Sequence, residues 1–372
     1  MERALYDFEP FEPWDLHHPG NLLDQASVGE NISKANLYTL QNDHNTPGFV
    51  VAKDVTLLAW NWDLSGKTRS YKFFMISRNN DLLHEYPDSA ACWLKYFPIF
   101  SETDDRSTSN ITLKLDLTQA AYIETPANLT YACGTLHFGH WIGDSLFKYL
   151  ICDAGIPILT TKLFPYQIDA LSFLQDPKKD SKVLLPVDLG DKRLLISKVS
   201  RIRVPINFSI HFRTKIIRNA ISKALQSTNL EPLGERQQIK KSKVYLVRGV
   251  INGKSRTANE SDVIERCKER EISCVDSSKL SFKDAAFAYR NFHEFFCTYG
   301  SSNLNFNIFS NDYAHLNYVF PENFRRYSDE KMSAGGFYPL PLISRTKVYF
   351  ANQVDPDSDD PLTSIQFPLS IL

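Results

Sequence analysis

The chain lacks the cysteine patterns of a disulfide scaffold or a zinc site. Its 372 residues include six cysteines, and none of them forms a C-x-x-C pair or stands at a zinc-ligand spacing from histidine. Scattered cysteines of this kind are most often buried free thiols of a reducing compartment. A disulfide-stabilised fold and a structural zinc site are therefore not expected.

Long apolar runs and an excess of charge of one sign are also missing. No run of about 18 apolar residues occurs, so no transmembrane helix is expected. The first residues lack the basic and then apolar profile of a secretory signal. With 42 basic and 43 acidic residues the formal net charge is −1, and nucleic acid is not an expected partner. These features predict a cytoplasmic location, with peripheral contact to the inner membrane face as an option.

The chain contains enough apolar residues for substantial hydrophobic cores. These residues occur in two series of alternating predicted strands and helices. Hydrophobic residues make up 43% of the sequence, and the length favours two domains or one large one. Strands are predicted at Val50–Trp60, Lys243–Arg248 and Glu294–Thr298, and an amphipathic helix at Ile210–Leu225. Alternation of this kind predicts an α/β fold with parallel sheets.

A polar linker over residues 227–242 separates the two series. We therefore predict an N-terminal, partly β region (1–120), a first α/β lobe (121–228) and a second α/β lobe (229–340). A C-terminal segment (341–372) is expected to cross back to the first lobe.

The first candidate site is the stretch Gly134-Thr-Leu-His-Phe-Gly-His-Trp-Ile-Gly-Asp-Ser-Leu-Phe-Lys-Tyr-Leu150. His140 and Asp144 are four residues apart, which places them on one face of an α-helix. A carboxylate beside an imidazole in a cleft is suited to general acid–base catalysis. The alternative is a hydrogen-bonded pair at a helix start with no chemical role.

A second candidate site begins where the strand at 243–248 ends. Arg248 and Arg256 flank a short loop, and arginine offers a planar fork of donors that suits phosphate. Thr257 or Asn259 could cap the helix that follows, whose N-terminus would favour an anion. A solvated basic turn is the alternative.

The third candidate site follows the strand at Glu294–Thr298. Tyr299, Gly300 and Ser301 lead into an apolar segment, and a backbone of this kind can approach a ligand closely and offer N–H groups to a phosphate. An ordinary turn from a strand to a helix is the alternative.

The order of these motifs resembles that of family 61 glycosyltransferases, which were once catalogued as a domain of unknown function in capsular-polysaccharide proteins. The resemblance covers about residues 130–325. It is carried by residues of four motifs: His140, Trp141 and Asp144; Arg256, Asn259 and Glu260; Leu280, Ser281 and Phe282; Gly300, Ser301 and Asn305. Tyr299 is a departure, since the family usually has histidine there.

The resemblance implies an inverting glycosyltransferase with two Rossmann-like lobes facing a cleft, the GT-B arrangement. The second lobe would bind a nucleotide-sugar donor through Arg248, Arg256, Asn259, Glu260, Gly300, Ser301 and Asn305. The first would bring a glycan or glycoconjugate acceptor and a base, Asp144 or His140. No cofactor and no metal are implied, so the arginines would offset the charge of the leaving diphosphate. A role in capsule or other cell-surface polysaccharide synthesis is also implied.

Two other functions fit the sequence. One is a non-catalytic carbohydrate-binding or scaffold protein with a degenerate transferase fold. Tyr299, which replaces the usual histidine of the family, favours this alternative. The other is a metal-dependent hydrolase with His137, His140 and Asp144 as ligands and further acids from residues 355–360, although no second histidine cluster completes such a ligand set.

Overall fold

The computed structural model of the protein describes residues 7–10, 34–39, 47–61, 71–76, 81–84, 100–102, 112–115, 120–124, 126–132, 138–161, 163–174, 183–187, 194–206, 208–227, 242–247, 250–251, 254–300, 302–326, 346–355 and 363–372. The chain forms two compact units. Unit 1 comprises Met1–Phe164 and Pro177–Ser209, and unit 2 comprises Pro165–Asp176 and Ile210–Leu372.

Unit 1 consists mainly of strands. They are β1 (Asp7–Pro10), β2 (Lys34–Thr39), β3 (Gly48–Asn61), β4 (Tyr71–Ile76), β5 (Asp81–His84), β6 (Phe100–Glu102), β7 (Thr112–Leu115), β8 (Ala120–Glu124), β9 (Asn128–Tyr131), β10 (Ile158–Thr161), β11 (Leu184–Val187) and β12 (Leu194–Ile206). Between β9 and β10 lie the helix α1 (Phe138–His140), a π-helical segment (Trp141–Ser145) and the helix α2 (Leu146–Ile151).

These strands form one mixed sheet. Its order is β11-β10-β9-β12-β3-β4-β5-β2-β7-β6, with β1 beside β3 and β8 beside β12. β9, β10 and β11 are parallel, and β12 is parallel to β8 and β9. The longest pairing is antiparallel, between β3 and β12, and runs from Gly48 opposite Ile206 to Trp60 opposite Leu194.

The sheet crosses the predicted boundary at residue 120. Strands from the N-terminal region and from the expected first lobe share it, because β3 pairs with β12 along most of its length. Both strands contribute fully buried apolar side chains, among them Val50, Leu57 and Ile202. The described strands of region 1–120 therefore supply part of the sheet and of the core of unit 1.

Unit 2 has the expected alternation of strands and helices. Its helices are α3 (Pro165–Leu174), α4 (Ile210–Ser227), α5 (Glu260–Glu269), α6 (Phe282–Ala288) and α7 (Ser302–Phe309). Short 3₁₀ turns lie at Ser277–Lys279, Tyr289–Asn291, Glu322–Arg326 and Leu369–Ile371. Its strands are β13 (Lys243–Val247), β14 (Val250–Ile251), β15 (Lys254–Ser255), β16 (Ser273–Asp276), β17 (Glu294–Thr298), β18 (His315–Pro321) and β19 (Thr346–Ala351).

The main sheet of unit 2 has the order β16-β13-β17-β18-β19, with every pairing parallel. Helices cover both of its faces, because neighbouring residues of a strand point to opposite sides. Phe296 packs in a buried cluster with Val263 of α5. The ring of Phe295 lies 5.4 Å from that of Tyr289 and 5.0 Å from that of Phe306 in α7. This arrangement is a doubly wound α/β sheet, as the alternation predicts.

The helix α5 illustrates how local sequence sets these boundaries. Glu260 and Asp262 lie in its first turn and Arg266 and Lys268 in its last, which complements the helix dipole. The chain then turns at Glu271, whose φ is 55°. The N–H of Ile272 donates to the carbonyl oxygen of Cys267 at 2.8 Å, so the helix ends in a Schellman motif with glutamate where glycine is usual.

The division between the units lies earlier than the predicted linker at 227–242. It falls between Ser209 and Ile210, so α4 belongs to unit 2. Arg218 of α4 donates to the carbonyl oxygen of Asn307 at 2.7 Å, and the apolar side of the helix, with Ile217 and Ile221, is buried. The sequence predicted that α4 is amphipathic. It could not predict the unit against which α4 packs, because that depends on contacts with residues distant in sequence.

Two further segments also pack in unit 2. In α3, a carboxylate oxygen of Asp169 accepts the N–H of Phe282 at 2.6 Å. The described parts of the C-terminal segment are residues 346–355 and 363–372, and its expected return to the first lobe stays a prediction. Both parts belong to unit 2, because Ile365 and Phe367 are buried there against Tyr245.

Candidate functional site

The sheet of unit 2 has a point at which the winding of the chain reverses. From β13 the chain passes through α5 to β16 on one side, and from β17 it passes through α7 to β18 on the other. Ligands of doubly wound sheets bind beyond the carboxyl ends of the two strands at such a point. These ends are Val247 of β13 and Thr298 of β17. The segments that follow, 248–256 and 299–301, contain many of the predicted site residues.

The segment after β13 is a hairpin. β14 and β15 pair antiparallel, with Val250 opposite Ser255, and the chain then reaches Arg256 before α5 begins. Arg248 lies outside the described residues, and its role stays a prediction.

Arg256 lies against the segment that follows β17. Its guanidinium carbon is 4.6 Å from the centroid of the Tyr299 ring, and its Nη1 donates to the carbonyl oxygen of Tyr299 at 3.4 Å. Tyr299 is only 3% exposed. Its hydroxyl donates to the carbonyl oxygen of Thr363 at 3.2 Å. A cation–π contact thus joins the two segments at the reversal point, and the half-buried arginine keeps accessible surface.

Gly300 has the conformation that only glycine adopts readily, with φ of 137°. Its N–H donates to the hydroxyl of Tyr318 at 2.7 Å, and that hydroxyl donates back to the carbonyl oxygen of Gly300 at 3.0 Å. This N–H was expected to bind a phosphate, but it already donates to the hydroxyl of the fully buried Tyr318. Ser301 lies outside the described residues.

Asn305 lies in α7 and is directed into the protein. It is 6% exposed, and its Oδ1 has no hydrogen-bond partner among the described residues. The buried hydroxyl of Tyr289 lies beside Asn305 and Ser277 without a well-formed hydrogen bond. Burial raises the pKa of Tyr289, and its two polar neighbours oppose the shift only in part.

Asn259 and Glu260 stand where α5 begins, but Asn259 does not cap the helix with its side chain. Its Nδ2 donates to the carbonyl oxygen of Phe367 at 3.1 Å, and its Oδ1 accepts the N–H of Phe367 at 2.8 Å. An Oε atom of Glu260 lies 3.4 Å from the hydroxyl of Tyr245. Burial raises the pKa of Tyr245 well above its usual value; the hydrogen bond with Thr257 opposes this shift, and the negative charge of Glu260 adds to it. Acidic residues in the first turn reduce the attraction of this helix end for an anion.

The Leu280-Ser281-Phe282 motif begins α6. The Oγ of Ser281 accepts the N–H of Asp284 at 3.0 Å and donates to the carboxylate of Asp284 at 2.6 Å. Phe282 packs against the ring of Phe309 at 4.8 Å. The motif therefore caps α6 through Ser281 and anchors the helix in the core through Phe282.

The pair of predicted catalytic residues lies in unit 1. Asp144 is half-buried in the π-helical segment, in which Trp141, Ile142 and Ser145 are buried. His140 ends α1, and only its backbone is described. The π-helical segment replaces the α-helical turn expected around Asp144, and the alignment of His140 with Asp144 stays a prediction. Such segments occur frequently at functional sites.

Lys148 is a residue that sequence reasoning missed. It is 2% exposed in α2, and lysine is almost never buried to this extent unless it is paired. Its position could have identified it: Lys148 follows Asp144 by four residues in an otherwise apolar segment that was predicted to be helical. In unit 2 the missed residues are Tyr318 and Phe367, which have ordinary core character in the sequence.

The described part of the chain contains no group of three or more histidine, cysteine or acidic residues arranged to hold a metal ion. His137 of the hydrolase hypothesis lies outside it. Among the helices that the structure describes, none is long and apolar enough to cross a membrane.

No curated protein sequence matches this chain. The family model for Glycosyltransferase 61 matches residues 138–312, a range that contains the π-helical segment, the hairpin after β13 and the turn at Gly300. The resemblance identified from the order of the motifs is confirmed over this range, which matches glycosyltransferase family 61.

Proposed function

We propose that this protein is an inverting glycosyltransferase that moves a sugar from a nucleotide sugar to a glycan or glycoconjugate. The observation that carries the proposal is the contact of Arg256 with Tyr299 beside the Gly300 turn. It lies at the reversal point of a doubly wound sheet, inside the range that matches the family. A ligand is expected at such a point, and a guanidinium there favours an anionic one.

Unit 2 would bind the donor. Arg248 and Arg256 would offset the negative charge that develops on the leaving diphosphate. Gly300 would let the backbone pass close to the nucleotide, and Ser301 would donate its hydroxyl. Glu260 and Asn305 would bind donor polar groups, and Asn259 would support the site. No metal is needed if the arginines carry this charge.

Unit 1 would supply the base. Asp144 would take the proton of the acceptor hydroxyl as the acceptor oxygen bonds to the anomeric carbon. The bond from that carbon to the diphosphate oxygen breaks in the same step, so the configuration inverts. His140 would orient Asp144 or take its place, because imidazole titrates near neutral pH.

The GT-B arrangement of the two units, a cell-surface polysaccharide such as capsule as the product and a cytoplasmic site of action belong to this proposal. They rest on the family resemblance.

A nucleotide-sugar panel tests the function. The purified protein is titrated with nucleoside diphosphates by calorimetry, and transfer or hydrolysis of labelled nucleotide sugars is followed with and without a chelator. We expect binding of one nucleotide class and turnover that survives the chelator. Absence of both binding and turnover over the whole panel would refute the proposal.

A non-catalytic binding protein is the second candidate, and Tyr299 favours it. A buried phenol lies against Arg256 at the position where the family usually has histidine, the side chain whose ordinary pKa lies near neutral pH. Nucleotide binding without turnover of any donor, in the presence of a glycan acceptor panel, would support this candidate against the transferase.

A further inference from the structure

The last described segment of the chain, Thr363–Leu372, crosses the carboxyl edge of the sheet in unit 2. We name it the C-terminal strap. The N–H of Ile365 donates to the carbonyl oxygen of Arg256 at 3.0 Å, and the N–H of Ala258 donates to the carbonyl oxygen of Ile365 at 2.9 Å. On the other side of the strap, the N–H of Gln366 donates to the carbonyl oxygen of Asn352 at 2.9 Å. The strap thus lies between the segment before α5 and the end of β19.

The side chain of Asn259 continues the row of hydrogen bonds between the strap and the segment before α5 by one residue. Both its amide oxygen and its amide nitrogen bond to the backbone of Phe367, at 2.8 Å and 3.1 Å. A side-chain amide that pairs with both backbone groups of one residue takes the place of a neighbouring strand. This use engages the two ends of the amide that a nucleotide would otherwise contact.

The strap is anchored in the core. Ile365, Phe367 and Leu372 are buried with Tyr245 and α5, and the ring of Phe367 meets the edge of the Tyr245 ring at 5.3 Å. Burial of three apolar side chains makes the strap a fixed part of the unit, not a loose tail.

The strap also reaches the second segment of the reversal point. The hydroxyl of Tyr299 donates to the carbonyl oxygen of Thr363, and the ring of Tyr299 supports Arg256. Arg256 is therefore held from two directions, through its carbonyl by Ile365 and through its side chain by a tyrosine bonded to Thr363.

We propose that the C-terminal strap positions Arg256 for its ligand, and that Asn259 is a positioning residue that acts through Phe367 instead of contacting the nucleotide. This inference rests on the proposed function, because it assumes that Arg256 binds a nucleoside diphosphate. It predicts that the last ten residues control donor affinity without touching the donor.

The test compares Asn259→Ala with Asn311→Ala in the full chain. Asn311 is a matched control, because its amide also bonds to backbone groups, including the carbonyl oxygen of Phe292 at 2.9 Å and the N–H of Tyr313 at 2.9 Å. It precedes β18, so it lies at the opposite edge of the sheet. Both variants should lower Tm to a similar degree. Only Asn259→Ala should raise the Kd for the nucleoside diphosphate that the wild type binds, by about tenfold, with donor KM raised and kcat kept.

Coupling separates positioning from direct contact. In a chain that ends at Gln366, Asn259→Ala should have no further effect on Kd, because its partner is already missing. A full additional loss of affinity in the shortened chain would identify Asn259 as a direct ligand and overturn the proposal. An unchanged Kd for Asn259→Ala in the full chain would overturn it as well.

Hydrogen exchange decides the case if the shortened chain does not fold or if no nucleotide binds. In the full chain, Asn259→Ala should speed amide exchange at Ala258 and Ile365, whereas Asn311→Ala should not. Unchanged exchange at these amides would refute the positioning role. Faster exchange in a protein that binds no nucleotide would support the strap contact and refute the proposed function instead.

Discussion

The hydroxyl of Tyr318 bonds to both backbone groups of Gly300: it accepts the N–H at 2.7 Å and donates to the carbonyl oxygen at 3.0 Å. A single buried side chain thereby fixes the turn that follows β17. The N–H of this glycine is engaged, so an anion near Gly300 would depend on Arg256 and on the residues that follow the turn.

Removal of that hydroxyl should be costly. Tyr318→Phe keeps the ring in the core but leaves two backbone groups of Gly300 without their partner, which should lower the free energy of unfolding by about 1–3 kcal/mol. Tyr245→Phe is the matched control, since the Tyr245 hydroxyl is also buried but lies at 3.4 Å from both Thr257 and Glu260. Denaturant unfolding should show a clearly smaller loss for the control, and equal losses would contradict this account of the turn.

Arg256 should contribute directly to nucleotide affinity. Arg256→Ala removes a charged hydrogen-bond donor and should weaken binding of a nucleoside diphosphate by about 1.5–3 kcal/mol, as measured by calorimetry. Arg266→Ala serves as the control, because Arg266 lies on α5 in the same unit and pairs with Glu269 at 2.6 Å on the surface. The Arg266→Ala variant should bind the nucleoside diphosphate with wild-type affinity. If Arg256→Ala also binds it with wild-type affinity, Arg256 is not part of the binding site.

Gly300→Ala should impair both stability and binding. A Cβ at φ of 137° is strained in a region that is almost restricted to glycine, at a cost of about 1–3 kcal/mol. Gly155→Ala provides a comparison within unit 1, because Gly155 also has positive φ, 83°, and its Cβ would meet no atom within 4 Å. Both variants should lose stability in thermal unfolding. Only Gly300→Ala should also lose nucleotide affinity at a temperature where it is folded.

The strands of unit 2 were predictable because they are short apolar runs between polar ends. Glu294–Thr298 forms β17 with the predicted bounds, and β13 ends one residue before the prediction, at Val247. β12 is less apparent in the sequence, because Lys198, Arg201 and Arg203 interrupt the apolar pattern of its second half. Pairing with β3 continues the strand to Ile206, and that pairing joins segments far apart in sequence.

The candidate site was predictable where its chemistry is local. Arginine and glycine after two strand ends pointed to the carboxyl edge of one sheet. The role of Asn259 was not predictable, since asparagine at the start of a helix indicates a cap and its true partner, Phe367, is 108 residues away. The π-helical segment around Asp144 was missed for another reason. Its residues also suit an α-helix, and the choice depends on packing of the buried side chains around it.

Ser281 should matter for stability and not for binding. Ser281→Ala removes the cap of α6 and should lower the free energy of unfolding by about 1 kcal/mol, the usual cost of an N-cap. Ser227→Ala is the control, because the Ser227 hydroxyl is exposed at the end of α4 and donates to the carbonyl oxygen of Ala224 at 2.7 Å. Nucleotide Kd should be unchanged in both variants, and a raised Kd in Ser281→Ala would assign the motif to the donor site.

Asp144 should control the rate of transfer without controlling donor affinity. Asp144→Asn keeps the shape of the side chain and removes its basicity, so kcat should fall by about 100-fold or more, the usual scale of general-base loss. The Kd for the nucleotide should be preserved, because the proposed donor residues belong to unit 2. Asp153→Asn is the control in unit 1. It weakens the ion pair of Asp153 with Arg203 and should lower Tm while the transfer rate remains near that of the wild type. A near-normal rate in both Asp144→Asn and His140→Ala would make the pair structural, and the base would then have to lie elsewhere in the chain.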